Sequence, residues 1–427
     1  MPDERGSQMI RERTVFHVDV NSAYLSWEAV WRLQHGSTLD LRTIPSVVGG
    51  DAESRHGIVL TKSIPAKKFG IQTGEVLWQA RQKCPNLVVV PPNYSLYMMC
   101  HQALLDLLRD FSSDVQVFSI DEAFIEYTGS ESVQGDAEAT AYRMKDRIRK
   151  ELGFTVNVGV GPNKLLAKMA GEFSKPDKVH TCWPEEIASK MWPLPVGELF
   201  GVGRATTPKL QRLNIMTIGD LAHAPDDMLA RHLKSYGALL KASAQGQEFS
   251  GVGPDFRPPM KGIGNSSTIP FDCDTLQEAK LVLLSLTEMV CMRLRQTGLC
   301  ARLVSVSIRN SSMNGRGHQH RMDAATDNTF RIYETACRLF GEMWQGPSEK
   351  IRNFGIRVSD LSLADFMQMS ILQPYDERKK RLDDTLDRIR FRYGTQSVQR
   401  AAFLASGIAP VMGGIPEEDF PAMSNIV

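Results

Sequence analysis

The stretch FSIDEAF, residues 118–124, places two adjacent carboxylates, Asp121 and Glu122, inside a run that otherwise has the pattern of a buried strand. Apolar residues precede the pair from Val115 onward and follow it as far as Ile125. Neighbouring residues of a regular strand point to opposite faces, and both faces are apolar here, so neither carboxylate has a solvent-exposed side. Burying an ionised carboxylate costs several kcal/mol unless an opposite charge meets it. The stretch therefore predicts that a countercharge binds beside the pair.

A third carboxylate, Asp19, lies near the end of another alternating apolar run, VFHVDV at residues 15–20. Three acids on two strands suit a divalent cation, because Mg²⁺ takes carboxylate and carbonyl oxygens and leaves positions for substrate phosphates. Two such ions, about 3.5–4 Å apart, can activate an attacking hydroxyl and stabilise the leaving oxygen in phosphoryl transfer. Asp121 and Glu122 can serve one such site if the strand bends sharply there. From these residues alone, ordinary ion pairs or turn caps remain the alternative.

The composition is that of an ordinary soluble globular protein, and a length of 427 residues suggests about two to four domains. Lys and Arg number 50 against 49 Asp and Glu, so any binding of a polyanion must come from local patches. The seven cysteines show no C-x-x-C spacing and suggest neither a zinc site nor a disulfide framework. No apolar stretch approaches the roughly 20 residues of a membrane helix, and the N-terminus lacks the apolar core of a signal peptide. We therefore expect a cytoplasmic protein that makes no contact with a membrane.

Several segments have clear local patterns. A helical pattern begins at about Ala23, where Asn21 or Ser22 suits the N-cap position. The segment FTVNVGVGPNKLLAKMA indicates a strand, a turn and a helix, with Asn163 near the helix cap. The Pro- and Gly-rich stretch at residues 246–264 has the composition of a linker.

Basic and glycine-rich segments favour phosphate binding at two places. Lys168 lies one helical turn after Lys164, just beyond a Gly-rich turn, and helix N-termini with lysines suit phosphate. Gly201 and Gly203, in FGVGRATTPKL, are followed by Lys209, an arrangement typical of a helix-hairpin-helix that grips DNA phosphates without reading sequence. Solvated surface lysines and a plain interhelical turn are the respective alternatives.

Six segments occur in the order found in the Y-family (DinB/UmuC-type) translesion DNA polymerases. They are HVDVNSAYLSWEAV, GIVLTKSIPAKKFGI, SIDEAF, VGVGPNKLLAKMA, LFGVGRATTPKLQRLNIMTIGDLA and FGIRVSDL. The chain resembles this family over roughly residues 13–375. The combination of segments is highly specific, although each segment alone is not.

The resemblance implies an α+β multidomain fold shaped like a right hand, with a helix-hairpin-helix thumb and an additional α/β little-finger domain. The implied domains are a catalytic palm at 13–30 and 92–176, fingers at 31–91, a thumb at 177–248, a linker at 249–262, a little finger at 263–367 and a C-terminal tail at 368–427.

The resemblance also implies a role for each matching residue. Asp19 and Asp121 look like the carboxylates that bridge two Mg²⁺ ions, and Glu122 looks like the ligand of the hydroxyl-activating ion. The backbone carbonyl of Val20 would complete the ion on the nucleotide side.

Further matches fall around the incoming nucleotide. Ala23 and Tyr24 fall at the nucleotide, and Tyr24 matches the bulky residue that lies under the sugar and excludes a 2′-hydroxyl. Thr61, Lys67 and Lys168 fall where the family contacts the triphosphate, and Gly201, Gly203 and Lys209 match the DNA-gripping hairpin.

The finger segment departs from the family pattern. Where the family commonly has Tyr-x-Ala-Arg, this chain has Ile64-Pro65-Ala66-Lys67. Ile64 cannot donate a hydrogen bond to phosphate, and Lys67 offers a point charge where Arg would offer a planar fork. The departure bears on triphosphate affinity and selectivity but not on the reaction type, because the metal ligands are complete.

We therefore interpret the chain as a template-directed DNA polymerase of low fidelity that extends a primer 3′-hydroxyl and tolerates damaged template. Its expected partners are primer–template DNA and deoxynucleoside triphosphates, and we expect a monomer. Two other classes remain open: an inactive family member that serves as a DNA-binding scaffold, and a palm-type nucleotidyl cyclase. The first would be expected to have lost one of the three acids, and the second has no use for a helix-hairpin-helix thumb.

The C-terminal tail begins near a further motif. In ADFMQMSILQP, the residues Gln368, Ser370, Ile371 and Leu372 resemble the bacterial sliding-clamp-binding motif Gln-Leu-Ser/Asp-Leu-Phe. Such a peptide places two adjacent apolar side chains in a hydrophobic pocket while the Gln binds at its rim. A final strand packed on the little finger is the alternative for this stretch.

Overall fold

The structure is a computed structural model that describes residues 13–50, 57–253, 260–364, 377–404 and 406–410. These residues fall into two compact units. The first unit holds residues 13–49 and 59–253, and the second holds residues from 260 onward together with the short segment around residues 50 and 57–58. Among the described helices, none combines the length and the apolar character that crossing a membrane requires.

The first unit contains eight strands and eleven α-helices within its described residues. In chain order they are β1 (Val15–Val20), α1 (Ala23–Gln34), β2 (Ser46–Gly49), β3 (Val59–Lys62), α2 (Ile64–Lys68), α3 (Leu77–Lys83), β4 (Val88–Val90), α4 (Tyr94–Arg109), β5 (Val115–Val117), β6 (Glu122–Glu126), α5 (Glu131–Gln134), α6 (Ala137–Leu152), β7 (Val156–Gly161), α7 (Lys164–Glu172), β8 (Val179–Thr181), α8 (Thr207–Gln211), α9 (Ile218–His223), α10 (Asp226–Leu233) and α11 (Ser235–Ala244).

The main sheet of the first unit has five strands in the order β5-β6-β1-β7-β8. Strand β1 is central and pairs antiparallel with both β6 and β7, which explains why all six of its residues are buried. Helix α7 packs very closely on β7: a Cβ at Gly159 would lie 1.9 Å from the backbone oxygen of Ala167. Only glycine at this position lets the helix approach so near the sheet.

The expectation of one continuous strand through FSIDEAF is wrong. Strand β5 ends at Val117, and residues 118–121 form a tight turn that leads into β6. The backbone N–H groups of Phe118 and Ser119 both donate to the carbonyl of Glu122, at 3.0 and 3.1 Å, and this closes the turn. The sequence pattern does not reveal this turn, because the apolar residues Phe118 and Ile120 continue the pattern of a strand. The sharp bend that Asp121 and Glu122 need in order to share a site is therefore present.

Two predicted helix starts are confirmed, but only one of the two helices has the expected side-chain cap. Helix α7 begins at Lys164, and the side chain of Asn163 accepts the Leu166 N–H at 2.8 Å. Helix α1 begins at Ala23 as expected, but Ser22 adopts a left-handed conformation and its side chain does not cap the helix.

Two further parts complete the first unit. A three-stranded sheet of order β3-β2-β4 is covered by α2 and α3 around a small core that includes Val47, Val59 and Ile71. The chain after β8 folds into short helices, from a turn at Pro184–Glu186 to α11, around a second core that includes Leu210.

The second unit is a four-stranded antiparallel sheet of order β11-β10-β12-β9 with helices on one face. Its elements are β9 (Gly262–Cys273), α12 (Leu276–Gln296), β10 (Leu299–Asn310), β11 (Gly315–Thr326), α13 (Thr329–Met343), β12 (Ile351–Leu363) and α14 (Glu377–Tyr393). Helices α12 and α13 share the apolar core of the sheet. Helix α12 is buried on almost every side between Leu281 and Met292, and α14 contacts it through ion pairs at Glu288 and Arg295.

Candidate functional site

The predicted carboxylates meet at the junction of β1 and β6. Asp19 and Glu122 are directly opposite each other in the antiparallel register of the two strands. The backbone N–H of Val20 donates to the backbone oxygen of Asp121 at 3.0 Å, so the turn residue is tied to the same place. The structure therefore brings together all four residues that the sequence proposed as metal ligands.

Burial makes these carboxylates hard to ionise without a countercharge. Burial raises the pKa of Asp19, although the positive charge of Lys175 opposes the shift. Burial also raises the pKa of Asp121, whose carboxylate accepts a hydrogen bond of 2.5 Å from the Ser119 hydroxyl. The residues around Asp19 and Asp121 therefore supply too little positive charge to offset the burial of these two carboxylates.

Glu122 behaves differently because two partners outweigh its burial. Burial alone would raise the pKa of Glu122, but the hydrogen bond from His17 and the charge of Lys168 lower it to about 2. Nε2 of His17 lies 3.0 Å from Oε2 of Glu122, and Lys168 forms an ion pair with the same oxygen. Glu122 is therefore firmly ionised.

Two lysines supply positive charge beside the carboxylates. Lys168 pairs with Glu122 and also lies over the rings of Phe118 and Phe200, 5.1 and 5.5 Å from their centroids. Lys175 pairs with Asp19 and donates to Glu172 at 2.8 Å. The carboxylates and the lysines form a cluster of alternating charge.

Sequence reasoning missed Lys175 and His17. Lys175 lies three residues beyond the end of α7, just before Pro176, so helical spacing gives no signal that it joins Lys168 at the carboxylates. His17 precedes Asp19 by two residues on β1, so both side chains point to the same face of the sheet. The His17 side chain is fully buried, and its Nδ1 has no hydrogen-bond partner among the described residues.

The donor set suits a hard divalent cation. Carboxylate oxygens and a backbone carbonyl are the ligands that Mg²⁺ prefers, and the raised pKa values of Asp19 and Asp121 mark a deficit of positive charge at this point. No group of three His, Cys, Asp or Glu side chains within the described ranges is already arranged around a common metal position. Lys168 and Lys175 hold carboxylate oxygens instead, so these lysines must yield to a bound cation.

Tyr24 lies in the first turn of α1 as part of an aromatic cluster. Its ring stacks on Tyr97, and Tyr94 meets it edge-on with ring centroids 6.3 Å apart. Burial raises the pKa of the Tyr24 hydroxyl, and the charge of Asp121 adds to the effect. Its neighbour Ala23 is buried.

The remaining nucleotide-site predictions fall on the smaller sheet of the first unit. Thr61 lies on β3 and Lys67 lies on α2, and the Lys67 side chain is exposed. Ile64, at the position where the family commonly has Tyr, is 50% exposed. Burial, followed by the charge of Lys67, lowers the pKa of Lys62.

The glycine turn after β8 begins a helix, as expected of a helix-hairpin-helix. The Gly203 carbonyl accepts the N–H groups of Thr206 and Thr207, and α8 carries exposed Lys209. Gly201 has a φ of +94°, which favours glycine, and its carbonyl accepts a 2.6 Å hydrogen bond from the hydroxyl of Tyr236. The proposed clamp residues Gln368, Ile371 and Leu372 lie outside the described residues.

Three family models match the chain. The impB/mucB/samB family matches residues 18–172, its C-terminal domain matches residues 260–371, and the helix-hairpin-helix motif of the same family matches residues 184–215. The first match contains all three carboxylates, and the third contains the glycine turn.

Curated relatives match nearly the whole chain. The chain is 43% identical to a DNA polymerase IV of Clostridium acetobutylicum over 397 residues, which are 92% of this chain and 98% of the relative. It is 35% identical to a DNA polymerase IV 2 of Bacillus subtilis over 93% of this chain and 96% of the relative.

Solved structures share the fold at lower sequence identity. A Y-family DNA polymerase chimera of Dbh and Dpo4 superposes with a TM-score of 0.68 at 21% identity, over 82% of this chain and 99% of the chimera. An insertion ternary complex of Dbh DNA polymerase superposes with a TM-score of 0.55 over the same shares. The expected right-hand fold is thereby confirmed.

Proposed function

Because the chain belongs to the impB/mucB/samB family, that of the Y-family DNA polymerases, we propose that Asp19, Asp121 and Glu122 are its nucleotidyl-transfer centre. The enzyme is a low-fidelity translesion DNA polymerase, and it acts on primer–template DNA and deoxynucleoside triphosphates. The observation that carries the assignment of the centre is the register pairing of Asp19 with Glu122, with Asp121 tied to Val20 beside them.

We assign the domains as the resemblance suggests. The five-stranded sheet and its helices support a palm at residues 13–30 and 92–176, and the three-stranded sheet supports fingers at 31–91. The short helices support a thumb at 177–248, and the second unit supports a little finger at 263–367.

The enzyme is a metal-dependent nucleotidyltransferase, and we propose two Mg²⁺ ions. Asp19 and Asp121 would hold both ions, Glu122 the ion at the primer, and the Val20 carbonyl the ion at the nucleotide. When bound, such ions lower the pKa of the primer 3′-hydroxyl and neutralise charge on the pyrophosphate leaving group.

The chain's own residues hold the nucleotide. Tyr24 would face the sugar and leave no room for a 2′-hydroxyl, with Ala23 beside it in the first turn of α1. Lys168 and Lys175 already lie against the carboxylates, so they are placed to transfer their hydrogen bonds to phosphate oxygens once the cations bind. Thr61 and Lys67 would approach the triphosphate from the fingers.

Other features support the remaining assignments. Gly201, Gly203 and Lys209 would bind DNA phosphates in the thumb, since backbone N–H groups and lysines fix phosphates without reading bases. We also propose that the protein is a cytoplasmic monomer and that a sliding clamp binds through residues 368–372.

Primer extension with two single variants tests the centre. Asp121→Ala and Glu122→Ala should abolish metal-dependent extension and leave the affinity for primer–template within about twofold, because other parts of the chain hold the phosphates. Asp106→Ala removes an exposed acid of α4 and serves as the control. Extension by both site variants at the rate of the control would refute the assignment.

A further inference from the structure

Helix α14 lies beyond the part of the chain that the family models match, which ends at residue 371. Its inward face consists of charged residues that are fully satisfied. Arg295 of α12 donates to both carboxylate oxygens of Asp387, at 2.6 and 3.0 Å, and lies 3.5 Å from Asp383. Arg390 pairs with buried Glu288 at 3.1 Å. These pairs fix the orientation of α14 on the unit.

The outward face of α14 has a different composition. Four exposed arginines lie at positions that share one side of the helix: Arg378, Arg381, Arg388 and Arg392, here called the arginine stripe. Spacings of 3, 10 and 14 residues from the first confine them to a sector about 80° wide at about 100° per residue. Exposed Thr385 falls within the same sector. The stripe is about 21 Å long at 1.5 Å per residue.

The helix therefore separates its charges. Asp383 and Asp387 face inward and share Arg295 as their cationic partner. On the outside, Glu377 pairs with Arg381, but both side chains are largely exposed, at 70% and 77%, so the pair is weak in water. Positive charge remains on the surface although the whole protein carries a net charge of only +1.

We propose that the arginine stripe binds the phosphate backbone of DNA. Guanidinium groups match phosphate oxygens with two parallel hydrogen bonds, and a row of them suits a polyanion with regularly spaced charges. A length of about 21 Å corresponds to about six base pairs at 3.4 Å each. Protein partners are usually held by apolar or aromatic anchors at the centre of an interface. The exposed apolar side chains of α14, Leu382, Phe391 and Tyr393, lie outside the sector of the stripe, which presents guanidinium groups and Thr385.

The stripe lies on the side of α14 opposite its buried residues. Asp383, Asp387 and Arg390 contact α12, and at about 100° per residue the stripe is centred roughly 180° around the helix from them. The stripe therefore faces solvent and not α12.

The test compares two triple variants with equal loss of charge. Arg381→Gln/Arg388→Gln/Arg392→Gln removes three cations of the stripe. Lys280→Gln/Arg338→Gln/Lys350→Gln removes three exposed cations elsewhere on the same unit and is the control. All six side chains are exposed, so both proteins should fold, which circular dichroism and thermal melting verify.

The measurement is the affinity of each protein for a long duplex primer–template, by fluorescence anisotropy between about 50 and 200 mM salt. The stripe variant should bind at least about tenfold more weakly near 100 mM salt, and its salt slope should fall by about 2.7, or 0.9 for each lost phosphate contact. Single-nucleotide insertion at saturating DNA should keep its parental rate. A parental affinity and slope, or an equal loss in the control variant, would overturn the proposal.

Discussion

The ring of Tyr24 lies parallel to the ring of Tyr97, with centroids 4.3 Å apart and an interplanar angle of 6°. Tyr97 is itself fixed, because it is fully buried and its hydroxyl donates to Glu28 at 3.1 Å. Trp27 packs against both rings. Stacking of this kind stabilises a fixed ring position by about 0.5–1.5 kcal/mol beyond simple burial. The ring of Tyr24 is therefore held in a fixed position by its neighbours.

Removing the Tyr24 ring should weaken the discrimination between ribonucleotides and deoxynucleotides. We expect Tyr24→Ala to reduce discrimination against ribonucleotides by about 10- to 200-fold, the range for one steric group in a pocket, while deoxynucleotide insertion continues. The ratio of kcat/KM for the two nucleotides measures the effect. Tyr142→Ala, at an exposed tyrosine of α6, is the control. Unchanged discrimination in Tyr24→Ala would mean that the residue only packs.

Lys175 should contribute to triphosphate binding although it belongs to no motif identified in the sequence. We expect Lys175→Ala to lower kcat/KM for the incoming nucleotide by about tenfold or more, because a hydrogen bond to a charged group contributes about 1.5–3 kcal/mol. Lys175→Arg should retain part of the activity, and Lys178→Ala, at an exposed lysine, should behave as the parent. Steady-state insertion kinetics at varied nucleotide concentration decide the question; a normal value in Lys175→Ala would rule out the contact.

His17 should act through Glu122 and not on the substrate. His17→Phe keeps the ring volume but removes the donor to the carboxylate, and loss of such an outer partner typically weakens metal affinity or activity by about 10- to 100-fold. We expect a higher Mg²⁺ concentration for half-maximal extension and an unchanged affinity for DNA. Direct titration of Mn²⁺ binding gives a second readout. His35→Phe, at the exposed end of α1, is the control. An unaltered metal dependence would restrict His17 to packing.

The proposed clamp motif can be tested without reference to its conformation. Ile371→Ala/Leu372→Ala should leave extension of short primers unchanged and remove stimulation by a loaded sliding clamp, because the tether raises the effective concentration at the primer end. Leu363→Ala/Leu382→Ala changes two exposed leucines of the same unit and is the control. Equal stimulation of both double variants would place any tether elsewhere.

The attachment of α14 depends on one buried guanidinium. Arg295→Met leaves Asp383 and Asp387 buried without their partner, and breaking such a pair typically costs about 3–5 kcal/mol. We expect a lower thermal unfolding temperature for the second unit in the full-length protein. Arg338→Met, at an exposed arginine of α13, should leave the melting curve unchanged. If both variants melt alike, the network does not stabilise the unit.

Local patterns predicted what is local in this protein. The strand and helix around Asp19, the cap at Asn163 and the glycine turn all depend on residues near one another in the sequence. The turn inside FSIDEAF could not be predicted from the local pattern, because apolar Phe118 is typical of a strand.

Contacts between distant residues could not be predicted in this way. Glu122 lies 105 residues from His17, and Asp19 lies 156 residues from Lys175. The sequence of α14 is strongly charged and reads as solvated, because its buried partner Arg295 is 92 residues away from Asp387. Pairing over such separations is a property of the fold and leaves no local pattern.

The close contact between Gly159 and the carbonyl of Ala167 makes position 159 intolerant of substitution for a reason unrelated to any ligand. Any side chain there would displace α7, and α7 carries Lys168 directly after Ala167. A methyl group at position 159 would therefore change the electrostatics of the carboxylate cluster, because it would move the Lys168 ammonium group away from Glu122. In a comprehensive mutational scan, substitutions of Gly159 would therefore reduce activity as much as substitutions of the carboxylates, although Gly159 contacts no ligand.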